Sequence, residues 1–174
     1  KSSVAAGALA VSPWFNAFGK SRERLRVGLV GTGMRGQVHL AELLKRGDVE
    51  VAAICDIEQF MLDTALKQIA DAGKPKPQVF TGSDHAWRDM YANGGLDAVI
   101  IATPWEWHAA QAIEAMQAKI AVGCEVVAGI TLDDHWQVLR VQQKTGTPYM
   151  LLENVCYRRD VLAVLNMVRQ GLFG

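Results

Sequence analysis

Three glycines near the start of the chain have the spacing of a phosphate-binding turn. Gly31, Gly33 and Gly36 form a Gly-x-Gly-x-x-Gly motif directly after a short apolar run. Glycines at these positions permit a tight turn, let the backbone approach a pyrophosphate and let a helix pack closely against a strand. The N-terminus of that helix offers unpaired N–H groups to phosphates, and Arg35 adds a cation nearby. The motif therefore predicts a dinucleotide site.

Asp56 ends the second apolar run, roughly two dozen residues after Gly31. A carboxylate at this point accepts hydrogen bonds from the adenosine ribose and repels a 2′-phosphate. Ile57 and Glu58 supply no cation that would offset the repulsion. The glycine motif alone is a weak signal, and an aspartate at a strand end commonly caps a helix. Their combination predicts NAD, rather than NADP, as the cofactor.

Short apolar runs alternate with helical patterns from Leu25 onward, which predicts parallel strands joined by crossover helices. Most of these strands are apolar throughout, as expected where helices cover both faces of a sheet. We therefore expect an α/β fold of the Rossmann type, with a doubly wound parallel sheet. The predicted strands are 25–30, 49–55, 79–81, 98–102, 120–124 and 149–152. The predicted helices are 34–45, 58–72, 85–91, 107–118, 132–144 and 159–170.

Helix ends are also marked in the sequence. Thr131 followed by Asp134 has the form of a capping box, and Gly146 and Gly171 stand where a helix needs a left-handed residue at its C-terminus. These signals predict the start of the fifth helix and the ends of the fifth and sixth.

The composition is that of a globular domain that binds a small molecule. Half of the 174 residues are hydrophobic, and 18 basic side chains balance 18 acidic ones. Such a balance gives no field to hold a polyanion, so nucleic acid is not expected as a partner. Cys55, Cys124 and Cys156 have no paired spacing that would hold a metal, and we expect all three to be buried small hydrophobes.

The first residues differ from the rest. Positions 2–11 form a weakly apolar run of small residues, too short to span a membrane and ended by Ser12-Pro13. The run resembles the apolar region of a twin-arginine export signal, which implies a periplasmic protein. An N-terminal extension without function is the alternative. We expect an export signal remnant and linker at 1–24, the cofactor domain at 25–156, and a helix leading into a second domain at 157–174.

Two further segments lie where the fourth and fifth predicted strands end. The first, 102–108, reads A-T-P-W-E-W-H, and the second, 123–126, reads G-C-E-V. Both resemble the Gfo/Idh/MocA oxidoreductases, whose members carry TP-x-x-x-H and E-K-P there. The resemblance implies that this chain is the N-terminal domain of a two-domain enzyme, with a C-terminal α+β domain beyond Gly174.

Val126 stands where most dehydrogenases of that family have the lysine of E-K-P, which assists proton transfer at the substrate hydroxyl. A valine cannot transfer a proton. The segments 105–108, 125–126 and 153–160 together resemble glycosyl hydrolase family 109, whose NAD-dependent members are best known as α-N-acetylgalactosaminidases. The resemblance implies cofactor contacts beyond Gly31 and Gly33, at Met34, Arg35, Asp56, Trp105, Glu106, Trp107, His108, Glu125, Val126 and Asn154.

The residues allow these contacts but also simpler roles. Trp105 and Trp107 could wall the nicotinamide pocket, although core packing explains tryptophans equally well. His108 at a helix start could donate to a ribose or pyrophosphate, or serve only the structure. Asn154 follows an apolar strand and could merely close a turn.

The resemblance implies an unusual hydrolysis. The sugar is oxidised at C3 by NAD, and the resulting ketone acidifies the hydrogen on C2. The aglycone then leaves by elimination, water adds, and the hydride returns to C3. Ordinary glycosidases instead use two carboxylates, so neither Glu106 with Glu125 nor Asp133 with Asp134 is assigned as an acid/base pair. The catalytic bases are expected in the second domain and stay unassigned.

Two other functions stay open. One is an NAD-dependent sugar dehydrogenase, against which Val126 argues. The other is a non-enzymatic protein that binds NAD without a sugar pocket. The sugar, its anomer and the oligomeric state, including a homo-oligomer, are not determined by these residues.

Overall fold

The structure, a computed structural model, describes residues 24–173. The predicted export segment at 1–24 lies outside the described residues except for Arg24. Within 24–173, no helix is both long enough and apolar enough to cross a membrane.

Six parallel strands form one sheet in the order β3-β2-β1-β4-β5-β6. They are β1 Leu25–Val30, β2 Val49–Cys55, β3 Gln78–Phe80, β4 Ala98–Ile101, β5 Ala121–Cys124 and β6 Tyr149–Leu151. The chain runs outward in one direction from β1 to β3 and then crosses back to β4 on the other side of β1. A doubly wound sheet binds its ligands beyond the carboxyl ends of the strands at such a reversal. The predicted Rossmann topology is confirmed.

Six α-helices connect and follow the strands. They are α1 Met34–Leu44, α2 Gln59–Asp71, α3 Trp87–Asn93, α4 Trp105–Gln117, α5 Leu132–Thr145 and α6 Arg159–Arg169, with a short 3-10 helix at Val155–Tyr157. The apolar faces of α1 and α2 pack on one side of the sheet in a cluster that includes Leu40 and Leu62. A second cluster, with Met90 of α3, Met116 of α4 and Val138 of α5, covers the other side. Burial of both faces explains why the strands carry so few polar residues.

Helix α4 begins at Trp105, two residues earlier than predicted from 107. Pro104 precedes it with a φ of −58°, which matches the helical value and permits an abrupt start. The predicted capping box is confirmed at α5, where Thr131 accepts from Asp134 and Asp134 accepts in return. Gly146 and Gly171 adopt φ values of +65° and +72°, as expected for helix ends.

The prediction for the cysteines is only partly correct. Cys55 and Cys124 end buried strands and are themselves buried, whereas Cys156 is exposed. Cys156 lies in the 3-10 helix after the edge strand β6, and none of the three residues of that helix is buried. The apolar character of cysteine alone was therefore not enough to predict whether Cys156 is buried.

Candidate dinucleotide-binding site

The glycine loop lies between β1 and α1, and two of its glycines are required by space. Gly31 has a φ of +86°, and a Cβ built on it would lie 2.6 Å from the carbonyl oxygen of Ala102. A Cβ on Gly36 would lie 2.0 Å from the carbonyl oxygen of Gly31. Any side chain at either position would therefore push the loop away from β4 or α1 away from the loop.

Gly33 has a different reason to be glycine. A Cβ added there would meet no protein atom within 4 Å, so the space in front of it is open. Helix α1 starts at the next residue, Met34, and its first turn carries no acidic side chain. The N–H groups of that turn have no acceptor within the helix and point toward the open space. The arrangement fits a pyrophosphate that passes close to the backbone.

Asp56 lies at the end of β2 with its carboxylate turned toward the glycine loop. Its Oδ2 accepts hydrogen bonds from the backbone N–H of Thr32, at 2.6 Å, and from the Thr32 hydroxyl, at 3.0 Å. Its Oδ1 accepts from the backbone N–H of Glu58 at 3.0 Å. The predicted ribose-binding residue is thus fixed in orientation beside the pyrophosphate position.

A cavity of about 310 Å³ opens beside Asp56. This volume lies at the lower end of the range for small-molecule sites. Its walls come from the glycine loop, from the ends of β2 and β4 and from helices α2, α3 and α4, and they are mostly apolar; they include Gly31, Gly33, Met61, Trp87, Pro104 and Gln111. An apolar pocket next to a fixed carboxylate fits the adenosine half of a dinucleotide.

Trp107 is part of this same pocket. Its ring centroid lies 5.3 Å from that of Trp87 and 5.5 Å from that of His85, so the three rings form one aromatic cluster. The sequence suggested that Trp107 walls the nicotinamide pocket. The structure places Trp107 in the wall of the cavity that Asp56 also lines, and the nicotinamide contact stays a prediction.

His108 is fully buried and does not face the cavity. Its Nδ1 lies 2.6 Å from the carbonyl oxygen of Val127, and its Nε2 lies 2.8 Å from the carbonyl oxygen of Thr103. Both bonds form together only when the ring carries a proton on each nitrogen, since carbonyls only accept. His108 therefore joins the loops after β4 and β5. The predicted hydrogen bond from its ring to a ribose or pyrophosphate would require one of these two to break.

Glu125, directly after β5, is almost buried and is held by two side chains of α1. Its Oε1 lies 2.6 Å from Nε of Arg35 and 2.6 Å from Nε2 of His39. Arg35 and Glu125 were both predicted site residues, and the structure brings them into contact. The cluster lies at the start of α1 on the β5 side, across the glycine loop from Asp56.

The charge state of Glu125 follows from this cluster. Burial alone would raise the pKa of Glu125, but hydrogen bonds from His39 and Arg35, together with their charges, bring the pKa below its ordinary value of 4.5. Glu125 is therefore a carboxylate at neutral pH. It accepts hydrogen bonds and neutralises Arg35, and it has no proton to donate in general acid catalysis.

The buried thiols take no part in nucleophilic chemistry. Burial, followed by the charges of Asp56 and Asp89, raises the pKa of Cys55 to about 12. Burial also raises the pKa of Cys124 to about 12. Both thiols stay protonated near neutral pH, whereas a nucleophile requires the thiolate.

The other predicted site residues are exposed or half-buried. Met34 is 86% exposed and Trp105 is 60% exposed, although both are large and apolar. Glu106 and Asn154 are exposed, and Val126 is half-buried next to Glu125. None of these side chains lies in the core, so their predicted cofactor contacts stay predictions.

Several residues of the site were not predicted from the sequence. Thr32 is the middle residue of the first Gly-x-Gly, and His39 lies one helical turn after Arg35, a spacing that places both on one face of α1. Gln111 accepts a hydrogen bond from the Thr103 hydroxyl at 2.7 Å within the buried wall of the cavity. The spacing of Arg35 and His39 was visible in the sequence. Their common partner, Glu125, was not.

Among residues 24–173, no group of His, Cys, Asp or Glu side chains has the arrangement of a metal site. Three features of the site fit NAD. They are an open backbone turn for the pyrophosphate, a fixed carboxylate for the adenosine ribose, and an apolar cavity beside that carboxylate.

Comparison with known proteins supports this assignment. Residues 25–152 match the sequence profile of the GFO/IDH/MocA oxidoreductase family, NAD-binding Rossmann fold. A glycosyl hydrolase family 109 protein of Stenotrophomonas maltophilia is 59% identical over 99% of this chain, which spans 38% of that protein. An alpha-N-acetylgalactosaminidase of Tannerella forsythia is 46% identical over 90% of this chain and 34% of its own length. The chain thus spans little more than a third of these relatives.

Solved structures share the fold. The WlbA dehydrogenase of Bordetella pertussis, in complex with NADH and UDP-GlcNAcA, has a TM-score of 0.72 and 28% identity over 89% of this chain and 42% of that one. The scyllo-inositol dehydrogenase of Lactobacillus casei, with bound NAD(H) and scyllo-inositol, has a TM-score of 0.72 and 22% identity over 87% of this chain and 42% of that one. The resemblance to glycosyl hydrolase family 109 is confirmed by sequence, and the chain belongs to the GFO/IDH/MocA oxidoreductase family as its NAD-binding Rossmann domain.

Proposed function

We propose that the protein containing this chain is an NAD-dependent glycosidase similar to the α-N-acetylgalactosaminidases. The observation that carries the proposal is Val126, which follows Glu125 at the end of β5. A dehydrogenase of the family would use a lysine there to move the hydroxyl proton of its substrate, and a half-buried valine cannot do so. The names of the two curated relatives support the same activity.

In the proposed reaction the sugar is oxidised at C3, the C2 proton made acidic by the ketone is removed, and the aglycone leaves C1 by elimination. Water then adds across the C1–C2 double bond, and C3 is reduced again. Bound NAD supplies the hydride acceptor and donor. Gly33 and the first turn of α1 hold the pyrophosphate, while Asp56 holds the adenosine ribose. The Arg35–Glu125 pair fixes the loop after β5, on which Val126 lies. These residues would orient the cofactor, and they transfer no proton.

The groups that remove protons from the sugar are proposed to lie in the rest of the protein, since this chain spans 38% of the curated relative. A fragment limited to this chain is therefore expected to bind NAD and to hydrolyse no glycoside. Hydrolysis by the fragment alone would contradict the proposal that the groups that remove protons lie in the rest of the protein.

The competing function is an NAD-dependent sugar dehydrogenase, which the family membership and the fold of the WlbA dehydrogenase favour. The complete enzyme, purified with bound NAD, separates the two in one assay with an aryl α-N-acetylgalactosaminide. A glycosidase of the proposed kind releases the aglycone without added cofactor and without lasting NADH absorbance, because the hydride returns to C3. Stoichiometric accumulation of NADH with the glycosidic bond intact would establish the dehydrogenase.

We also propose that the protein is exported through the twin-arginine route to the periplasm. The small-residue run at 2–11 supports the proposal. Folding around NAD before export would suit a cofactor that is scarce outside the cytoplasm. Mass spectrometry of the mature protein should show an N-terminus processed before Arg26, and an intact N-terminus on cytoplasmic protein would contradict export.

A further inference from the structure

Thr32 is the middle residue of the first Gly-x-Gly and is fully buried. Its backbone N–H and its hydroxyl both donate to the same oxygen, Oδ2 of Asp56, at 2.6 Å and 3.0 Å. A backbone N–H in the glycine turn is expected to face this carboxylate in many such sites. The hydroxyl is a second donor that this particular side chain adds.

The hydrogen bonds leave the Asp56 carboxylate little freedom. A carboxylate has about four acceptor positions in its plane, two on each oxygen. Thr32 fills both positions on Oδ2, and the backbone N–H of Glu58 fills one on Oδ1. One position on Oδ1 is left for a ligand, so the carboxylate offers a single acceptor to a ribose hydroxyl and cannot rotate without breaking bonds to Thr32.

We propose that Thr32 is a positioning residue that sets the preference for NAD over NADP by holding Asp56 in place. A ribose hydroxyl donates to the remaining acceptor on Oδ1. A 2′-phosphate brings negative charge to the same point, and it fits only if the carboxylate turns away. The two bonds from Thr32 prevent that turn. The inference rests on NAD binding by this domain and is independent of whether the complete enzyme hydrolyses a glycoside.

The test variant lacks the Thr32 hydroxyl but keeps nearly the same side-chain shape. In Thr32→Val the backbone N–H still donates to Asp56, but the second bond is lost. We expect the ratio of NADP to NAD dissociation constants to fall roughly tenfold, as for loss of one hydrogen bond to a charged group. Thr32→Ser retains a hydroxyl and should keep the ratio within about twofold of the wild type. Isothermal titration of the cofactor-free complete protein with NAD and with NADP gives both constants directly.

The matched control is Thr147→Val. Thr147 is also buried, and its hydroxyl also makes one hydrogen bond, to the carbonyl oxygen of Met116, but it lies between α4 and β6 and away from the cavity. This variant should lose stability like Thr32→Val without a change in the cofactor ratio. If Thr32→Val does not fold, Thr32→Ala takes its place in the comparison, because it also lacks the hydroxyl and has a smaller side chain.

An unchanged ratio in the folded variant, or an equal loss of affinity for both cofactors, would overturn the role of Thr32. A wild-type protein that binds neither cofactor would instead contradict the NAD assignment itself. Failure to hydrolyse a glycoside would bear only on the proposed activity, because the titration contains no sugar.

Discussion

Nε of Arg35 and Oε1 of Glu125 lie 2.6 Å apart, although 90 positions separate the two residues in the chain. The ion pair joins the first turn of α1 to the loop after β5. Nε2 of His39, one turn further along α1, lies 2.6 Å from the same oxygen and donates to it, since a carboxylate only accepts. The two loops that flank the crevice on the side away from Asp56 are therefore fixed relative to each other by one almost buried carboxylate.

This cluster predicts an acid-dependent contribution to stability. The pKa of Glu125 is below its ordinary value of 4.5 in the folded protein. A group with a lowered folded pKa stabilises the fold above its unfolded pKa, and the contribution is lost as the pH falls through the folded value. Glu125→Gln should therefore lower the free energy of unfolding at neutral pH by about 1–3 kcal/mol, the range for hydrogen bonds to a charged group. Below the folded pKa the difference from wild type should narrow.

Urea denaturation at several pH values measures this difference. Glu42→Gln is the control on the same helix, since Glu42 pairs with Lys45 but both side chains are 67% exposed. That surface pair should contribute less than about 1 kcal/mol at any pH. A Glu125→Gln difference that stays constant from neutral to strongly acid pH would contradict the assigned charge state.

The glycines of the loop predict two separable effects. Gly33→Ala should leave the thermal midpoint nearly unchanged, because a Cβ there meets nothing within 4 Å. It should weaken NAD binding by at least roughly tenfold, since the methyl group occupies the space where the pyrophosphate approaches the backbone. Gly36→Ala should instead destabilise the fold by about 1–3 kcal/mol or more, because its Cβ would overlap the carbonyl oxygen of Gly31.

Thermal unfolding and NAD titration on both variants give the comparison. Each variant is the control for the other, since both add the same methyl group in the same loop. Equal destabilisation by the two substitutions, or unchanged NAD affinity in Gly33→Ala, would contradict this division of roles.

His108 predicts a structural effect larger than that of an ordinary surface histidine. His108→Leu keeps an apolar side chain of moderate size in the buried position but leaves the carbonyl oxygens of Thr103 and Val127 without their donor. We expect a loss of about 2–4 kcal/mol in the free energy of unfolding. His135→Ala, at an exposed position on α5, should change it by no more than about 0.5 kcal/mol. Guanidinium denaturation of both variants measures the two losses in the free energy of unfolding, and equal losses would contradict this prediction.

Asp56 predicts the choice of cofactor. The wild-type protein should bind NAD at least roughly tenfold more tightly than NADP, a difference on the order of 1.4 kcal/mol. Asp56→Ala should reduce the difference in affinity between NAD and NADP, because the repulsion of the 2′-phosphate disappears together with the bond to the ribose. Direct titration with both nucleotides measures the ratio, and equal affinities in the wild-type protein would contradict the ribose assignment.

The sequence by itself determined the Rossmann topology, because alternating apolar runs and helical patterns admit few other packings, and because glycine and aspartate spacing is a local property of one β-α-β unit. The strand boundaries of β1 and β2 and the capping box of α5 were predicted for the same reason. Val126 likewise indicated the branch of the family from its place within a single short motif. Each of these signals depends on residues close together in the chain.

Only the tertiary structure decided which distant side chains meet. Glu125 acquired its partners on α1 because β5 lies two strands from β1 and its carboxyl end faces the same crevice. His108 lies in the core, between carbonyl groups that two loops present to its ring. Trp107 lines the same cavity as Asp56, and Cys156 is exposed in the 3-10 helix after β6. Contacts of this kind depend on strand order and helix phase, which no local pattern encodes.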